Sequence, residues 1–249
     1  MLATSLDDGI LTLTLDRPDK RNALSSALIE ELHKGIERAE LDGAVKVLVL
    51  KGAGKDFCAG ADLEELLASA DKDPADNEAS ALRLGALFEA IRNLPKPVVA
   101  VVQGRALAGG CGLATTCDFV LAADSAQFGY PEIQRGFVPA MVMAMLVRQV
   151  GEKRALDLTG TGRLLSAAEA YQMGLVTSVI GTPDFALRTA DLIQQLTTLS
   201  QTAFALTKQL VYAQDGLPFG DAIKLGARIN AMSRATPDFR SAIAQFLKK

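Results

Sequence analysis

The chain has 249 residues, of which 49% are hydrophobic and 22% are charged, and its net charge is −3 with an isoelectric point near 5.3. This composition is typical of a soluble globular protein that forms one large domain or a core with an appendage. No Lys/Arg run is longer than the Lys248–Lys249 pair, which disfavours a nucleic-acid partner. The longest apolar stretch, 137–147, is too short to cross a bilayer, which argues against a membrane protein.

The cysteines and the histidine restrict the chemistry further. The first eight residues lack a basic and then apolar start, so Cys58, Cys111 and Cys117 are expected as reduced thiols in a cytoplasmic protein. His33 is the one histidine, and it lies off the apolar stripe of its predicted helix. We expect a solvated residue there, which disfavours a Ser-His-Asp triad and a His-rich metal site.

The first half of the chain alternates strand and helix signals. Residues 9–18 alternate apolar and polar side chains and predict a half-buried strand. A helix follows from Asn22, a buried strand covers 45–54, and a short helix starts at Asp62. Residues 71–78 are polar and predict a mobile loop.

The second half continues this order and then becomes helical. A helix at 79–94 precedes a strand that ends at Gly104, and Ser166 is a plausible N-cap of a later helix. The remaining predicted elements are a short helix at 113–118, a strand at 119–124, helices at 141–151 and 153–162, and a strand at 175–180. We predict an α/β core over 1–182 with parallel strands, and a helical region over 183–249 broken at 216–221.

Two glycine-rich turns each follow a strand and enter a helix: FCAGADL (57–63, the first turn) and ALAGGCGL (106–113, the second turn). A helix start offers free N–H groups and the positive end of the helix dipole. Two starts that face one pocket could point two donors at one oxygen, an arrangement that stabilises charge on a carbonyl. Either turn by itself is more typical of a simple tight turn.

Five motifs together resemble the crotonase family, also called the enoyl-CoA hydratase/isomerase family. They are RPDKRNALS, FCAGADL, PVVAVVQGRALAGGCGLATTCD, AQFGYPEIQRGFVP and SAAEAYQMGLV, and they span essentially the whole chain. The resemblance implies a spiral of repeated ββα units with a helical C-terminal trimerisation region, assembled as a homotrimer or homohexamer. It also implies an acyl-CoA thioester substrate, with no cofactor beyond the coenzyme A of that substrate and no metal.

The resemblance also implies the site. The amides of Ala61 and Gly109 would hold the thioester oxygen, and Glu132 would carry protons. The implied substrate-binding positions are Arg21, Ala23, Lys55, Ala59, Asp62, Leu63, Gly110, Gly112, Tyr130, Phe137, Phe246 and Lys249. Side chains at Gly109 or Gly110 would obstruct the thioester. Phe246 and Lys249 match a C-terminal pattern that reaches a neighbouring subunit's ligand in relatives.

Two departures from the family pattern leave the reaction open. Hydratases of this family have a second glutamate where this chain has Gly112, and their glycine-rich run after the proline is replaced here by PAMVMAM (139–145). One carboxylate suffices for double-bond isomerisation, whereas hydration would be atypical. The methionines of that run favour an apolar acyl group. Decarboxylation, thioester hydrolysis, and a non-catalytic CoA- or RNA-binding role are alternatives.

Overall fold

A computed structural model describes residues 1–248. The strands within that range are β1 (Leu2–Asp7), β2 (Ile10–Leu15), β3 (Val47–Gly52), β4 (Val98–Val102), β5 (Arg105–Leu107), β6 (Phe119–Ala123), β7 (Gln127–Gly129), β8 (Leu164–Ser166) and β9 (Ser178–Ile180). The helices are α1 (Ser26–Leu41), α2 (Leu63–Ala68), α3 (Pro74–Asn93), α4 (Gly109–Thr116), α5 (Ala140–Val150), α6 (Glu152–Thr161), α7 (Ala167–Gln172), α8 (Phe185–Thr197), α9 (Gln201–Ala213), α10 (Phe219–Arg234) and α11 (Pro237–Phe246). Short 3₁₀ turns cover Pro18–Lys20, Pro131–Arg135 and Thr182–Asp184.

The strands form two sheets. The larger sheet has the order β1-β2-β3-β4-β6-β9, and the smaller has the order β5-β7-β8. Every pair in the larger sheet except β1–β2 is parallel, as the helices between the strands predicted. The order β4-β5-α4, followed by β6, β7, a 3₁₀ turn and α5, repeats a strand–strand–helix unit. The predicted α/β fold of ββα units is therefore confirmed.

Both faces of the larger sheet are covered. Along β3, Leu48 and Leu50 join the main core, whereas Val47 and Val49 point to a second apolar cluster. Ile193 of α8 belongs to that second cluster, so the first helix of the predicted C-terminal region packs on the sheet. Parallel strands buried on both faces read as continuous apolar runs, which explains the sequence of β3. The boundary at 182/183 stays a prediction.

Two local expectations were wrong. The polar segment 71–78 is not a loop throughout, because α3 begins at Pro74. The Asp73 side chain accepts a hydrogen bond of 2.8 Å from Ala75 N, and proline at the first helical position suits that cap. Strands were also missed. The side chains of β1 are mostly exposed and it pairs only at the sheet edge, and the strands of the smaller sheet, β5, β7 and β8, are only three residues long each.

The predicted helical character of the C-terminal region is confirmed within the described residues. Helices α8 to α11 fill most of 185–246, with the main break between Ala213 and Phe219. Ser166 caps α7 and forms a capping box with Glu169, as its position predicted. No helix in 1–248 combines the length and apolarity needed to cross a membrane.

A buried ion pair ties α9 to the core. Lys208 Nζ lies 2.8 Å from Asp118 Oδ2 and also donates to the Ile91 carbonyl at 2.9 Å, while Tyr212 donates to Asp118 Oδ1 at 2.8 Å. Burial raises the pKa of Asp118 and lowers that of Lys208, so desolvation opposes both charges. The pair persists because its hydrogen bonds are satisfied, and each charge depends on the other.

Replacing Lys208 by methionine should therefore cost about 3–5 kcal/mol of unfolding free energy, because Asp118 is left buried without a counter-ion. Urea denaturation measures this cost. The control is Lys224→Met, which removes an exposed pair with Asp221 and should cost less than about 1 kcal/mol. Equal losses in the two variants would show that the buried pair does not anchor α9.

Candidate active site

The two glycine-rich turns lie side by side because their backbones pair. Cys58 N donates to the Arg105 carbonyl at 3.0 Å, and Leu107 N donates back to the Cys58 carbonyl at 2.9 Å. On its other side the first turn pairs with the segment that precedes α1, where Leu24 N donates to the Gly60 carbonyl at 2.8 Å. The first turn is thus held between two strand-like segments.

The predicted amide donors sit where the turns meet. A Cβ atom added to Gly60 would lie 3.5 Å from Gly109 N and 2.7 Å from Ala108 Cβ, so the two turns are in contact. Within 1–248, neither Ala61 N–H nor Gly109 N–H donates a hydrogen bond to the protein. Gly109 is the first residue of α4, whose opening N–H groups have no partner inside the helix. Two adjacent donors are therefore available.

Backbone strain precedes the second donor. Ala108 has φ 52° and ψ −129°, a region that residues with a Cβ rarely adopt. Its N–H donates to the Gly129 carbonyl at 2.8 Å, and its carbonyl accepts from Gly112 N at 3.0 Å, so both neighbours fix the peptide. This conformation turns the chain sharply from β5 into α4 and exposes the amide of Gly109.

Gly110 has a packing reason for lacking a side chain. A Cβ atom there would lie 2.4 Å from the Cys58 carbonyl oxygen and 2.7 Å from Cys58 Sγ. At Gly109 the same atom would be in ordinary contact, 3.6 Å from Leu24 and from Leu84. The close approach at Gly110 is between two segments of the protein itself.

Gly112 faces apolar side chains. A Cβ atom there would lie 2.3 Å from Val142 Cγ1 and 3.2 Å from Phe88 Cζ. Val142 and Phe88 are buried, and they come from α5 and α3. The volume that a side chain at 112 would need is therefore filled, mainly by a methyl group of Val142.

Glu132 lies in the 3₁₀ turn Pro131–Arg135 and is only 8% exposed. Its Oε2 atom is buried and has no hydrogen-bond partner in 1–248. Burial raises the pKa of Glu132, and the charge of Arg135 opposes that shift. A buried carboxylate with an unused oxygen is suited to accept a proton from a ligand. Phe137, one of the implied substrate-binding positions, is exposed.

Cys111 is a residue of α4, and Tyr130 packs next to it. Both are fully buried, and the Tyr130 hydroxyl lies 3.4 Å from Thr115 Oγ1. Desolvation raises the pKa of Cys111 to about 12, with a smaller contribution from the Glu132 charge, so the thiol is neutral near pH 7. Cys111 thus packs as a small apolar residue.

The positions predicted to line the coenzyme A path fall into two groups. The side chains of Arg21, Lys55 and Leu63 are exposed. The Arg21 carbonyl accepts from Ala59 N at 3.0 Å, which joins this segment to the first turn. Ala23 is buried, and its carbonyl accepts a 2.7 Å hydrogen bond from the Arg17 guanidinium.

Asp62 is engaged within the protein. Its carboxylate caps α2 by accepting from Glu64 N at 3.1 Å, and it pairs with the Arg17 guanidinium at 2.8 Å. The hydrogen bond from Arg17 lowers the pKa of Asp62 despite its burial. These contacts hold the first turn next to Leu24.

At the other end of the chain, Phe246 ends α11 and is 75% exposed, and Lys249 lies outside the described residues.

Three structural contributors were missed from sequence. Val142 and Phe88 form the apolar wall at Gly112, and the buried Asn22 amide donates to the carbonyls of Ala53 and Asp56 at 2.9 and 2.8 Å. The unusual run 139–145 was a signal for Val142, but no pattern linked it to Gly112. Among residues 1–248, no cluster of three or more His, Cys, Asp or Glu side chains could hold a metal ion.

Comparison with known proteins agrees with this architecture. A family model described as enoyl-CoA hydratase/isomerase matches residues 5–249. The 2,3-dehydroadipyl-CoA hydratase of Escherichia coli is 35% identical over 253 residues, which cover 100% of this chain and 96% of that protein. A Rhizobium meliloti protein named "Probable enoyl-CoA hydratase" is 37% identical over 241 residues, which cover 95% of this chain and 91% of that protein.

Solved structures give the same result. The crystal structure of enoyl-CoA hydratase from Mycobacterium smegmatis superposes with a TM-score of 0.94 at 31% identity, covering 99% of this chain and 96% of that one. The chain belongs to the enoyl-CoA hydratase/isomerase family, the crotonases, and is an enzyme of that family that acts on acyl-CoA.

The contact between Gly112 and Val142 can be tested by a double-mutant cycle. Gly112→Ala should destabilise the protein by about 1–3 kcal/mol, because the new methyl overlaps Val142. In a Val142→Ala background the same change should cost at least about 0.5 kcal/mol less. Urea denaturation of the four proteins measures both values.

Gly160→Ala is the matched control for that cycle. It makes the same change inside α6, where the added atom meets only Leu156 at 3.8 Å. It should be neutral or stabilising by up to about 1 kcal/mol. Additive losses for Gly112 and Val142 would show that the two positions do not share one volume.

Proposed function

We propose that this enzyme moves the double bond of an enoyl-CoA thioester, with Glu132 as the single acid/base group and the amides of Ala61 and Gly109 as an oxyanion hole. The observation that carries the proposal is the asymmetry of the site. Glu132 is a buried carboxylate with an unpartnered oxygen, whereas position 112 offers no side chain and faces an apolar wall. A proton shuttle needs one such group.

The proposed reaction begins with a 3-enoyl-CoA whose thioester oxygen accepts from both amides. Glu132 removes a proton from C2, and the electrons of the broken C–H bond spread over a dienolate that ends on the thioester oxygen. Glu132 then returns the proton to C4, which leaves a 2-enoyl-CoA of the same formula. Only a proton moves, so we propose no cofactor beyond the coenzyme A carried by the substrate.

Electrostatics support the roles of both components. Each donor of an oxyanion hole typically contributes about 3 kcal/mol to lowering the barrier, because it is fixed before charge develops. The donors here are fixed by the backbone pairing of the two turns. The raised pKa of Glu132 brings the carboxyl nearer to neutral pH, where a general base can both take and return a proton.

The surroundings of Gly109 favour an apolar acyl group. Leu24 and Leu84 lie against it. Gly85 follows Leu84 on α3, and a Cβ atom added there would lie 3.5 Å from Met141 Sδ. These side chains are aliphatic or adaptable, and none carries a charge. We propose fatty or branched acyl thioesters as the substrate class.

Hydration of a 2-enoyl-CoA is the second candidate, and the names of the relatives favour it. The Escherichia coli and Mycobacterium smegmatis proteins are both called hydratases. In this chain hydration would depend on one water held by Glu132 alone. It would lack a second carboxylate, and a positioned acid/base group is typically worth about 10²–10⁴-fold.

The test is a paired assay of wild type and Glu132→Gln with a 3-enoyl-CoA and a 2-enoyl-CoA. Wild type should convert the 3-enoyl form, and the variant should lose about 10²–10⁴-fold in kcat because the amide cannot shuttle a proton. Glu89→Gln, an exposed residue of α3, is the matched control and should retain activity. Water addition at high turnover on the 2-enoyl form would favour hydratase instead.

The pH dependence of the same assay is a second readout. Glu132 must be ionised to accept the C2 proton, so kcat/KM should fall as pH drops through its pKa. Because burial raises that pKa, the acidic limb should lie above the ordinary glutamate value of 4.5. Full activity in Glu132→Gln, or an acidic limb at or below 4.5, would contradict the assignment of Glu132.

We also propose that the chain assembles as a homotrimer or as a pair of trimers through its C-terminal helices. Supporting this, Phe219 of α10 is 82% exposed and Phe246 of α11 is 75% exposed, and Ile223 and Leu247 are exposed near them in sequence. Apolar surface of this kind is typical of an interface. Light scattering that reports a monomer at micromolar concentration would contradict this proposal.

A further inference from the structure

We infer that Val142 is a specificity-determining residue of this site: with Phe88 it forms a dry wall beside the acyl group that excludes water and commits the enzyme to isomerisation. This inference rests on the proposed function, because it concerns which of two outcomes follows from the same dienolate site. It adds a residue that no sequence motif assigned to the chemistry.

The wall lies one helical turn from the proposed hole. Gly109 and Gly112 are three residues apart on α4, so they lie on one face of that helix. Leu84 and Phe88 are four apart on α3, and they meet the Cβ positions of Gly109 and Gly112 respectively. The two stripes face each other, and Val142 of α5 closes the gap at Gly112. Neighbours at this spacing are about 5–6 Å apart, a distance that an acyl chain crosses within a few carbons.

Both backbone polar groups of Gly112 have partners within 1–248. The Gly112 N–H donates to the Ala108 carbonyl at 3.0 Å, and the Gly112 carbonyl accepts from Thr116 Oγ1 at 2.7 Å. Val142 and Phe88 are buried hydrocarbon. An ordered buried water needs two to four polar partners, and an apolar cavity without them stays dry. The wall therefore excludes water both by volume and by chemistry.

Dryness decides the product because the two reactions differ by one water. In isomerisation a C–H bond breaks at C2 and another forms at C4, with no atom gained. In hydration an O–H bond of water breaks, its oxygen bonds to C3 and a proton adds to C2, so the double bond is lost. If no water reaches C3, the dienolate can only be reprotonated by Glu132.

The experiment measures oxygen incorporation in H₂¹⁸O. Wild type, Val142→Ala and Val142→Thr are each incubated with a 3-enoyl-CoA. The products are then separated and quantified by mass spectrometry. Val142→Ala removes two methyl groups at the wall. Val142→Thr keeps nearly the same volume but replaces one methyl by a hydroxyl that can hold a water molecule. Both should raise the ratio of ¹⁸O-labelled 3-hydroxyacyl-CoA to isomerised product by roughly tenfold or more.

Val147→Ala is the matched control. Val147 lies on the same helix and packs against the same core, and the substitution removes the same atoms away from Gly112. It should leave the product ratio at the wild-type value. Because Val142→Thr preserves the side-chain volume, it keeps the test valid if Val142→Ala fails to fold.

Two results would overturn the inference. The first is a wild-type enzyme that incorporates ¹⁸O as fast as it moves the double bond, since water would then pass the wall. The second is that both Val142 variants keep the wild-type ratio of hydrated to isomerised product, while wild type shows normal isomerisation that depends on Glu132. That second result would leave the proposed function intact. Loss of the Glu132 dependence, by contrast, would reject the proposed function and not the wall.

Discussion

The site depends on the close approach of the first and second glycine-rich turns. Their backbones exchange hydrogen bonds through Cys58, and Gly110 allows α4 to start directly against the Cys58 carbonyl. A side chain at 110 would force these segments apart, and with them the amides of Ala61 and Gly109. Since hydrogen-bond donors act on a developing charge only at short range, the proposed oxyanion hole depends on this one contact.

The protein tolerates two unfavourable features. Ala108 adopts a backbone conformation that costs about 1–3 kcal/mol, and Glu132 is buried with an oxygen unpaired. Such features survive only where the surrounding structure fixes them. Here a sheet covered on both faces and the Lys208–Asp118 pair that joins α9 to the core supply that rigidity. Strain is concentrated where the substrate is proposed to bind.

Positions 112 on α4 and 142 on α5 are packed against each other. A residue without a side chain at 112 faces a branched residue at 142, and the two together fill one volume. Because protein cores are closely packed, a gap or an overlap at either position costs free energy. In the proposed function, the packing next to the acyl group therefore selects the reaction together with the number of carboxylates.

The sequence by itself determined the order of the longer helices and of the central strands, and the parallel pairing of the larger sheet. Apolar runs such as β3 and local signals such as the Ser166 capping box are short-range, so a linear pattern reports them. The motifs also identified the family, which the comparisons confirmed. The edge strand β1 and the start of α3 at Pro74 were not predicted, because segments of exposed or polar residues show little hydrophobic periodicity.

Only the tertiary structure decided which residues meet. The neighbours of Gly112 come from α3 and α5, 24 residues before it and 30 after it, and nothing in a linear pattern brings Phe88 and Val142 to one point. Likewise, Asp62 is engaged by Arg17, and Gly110 is small because of Cys58. These facts depend on distances between segments that are remote in the chain. Packing of the whole fold fixes such distances, and local preference does not.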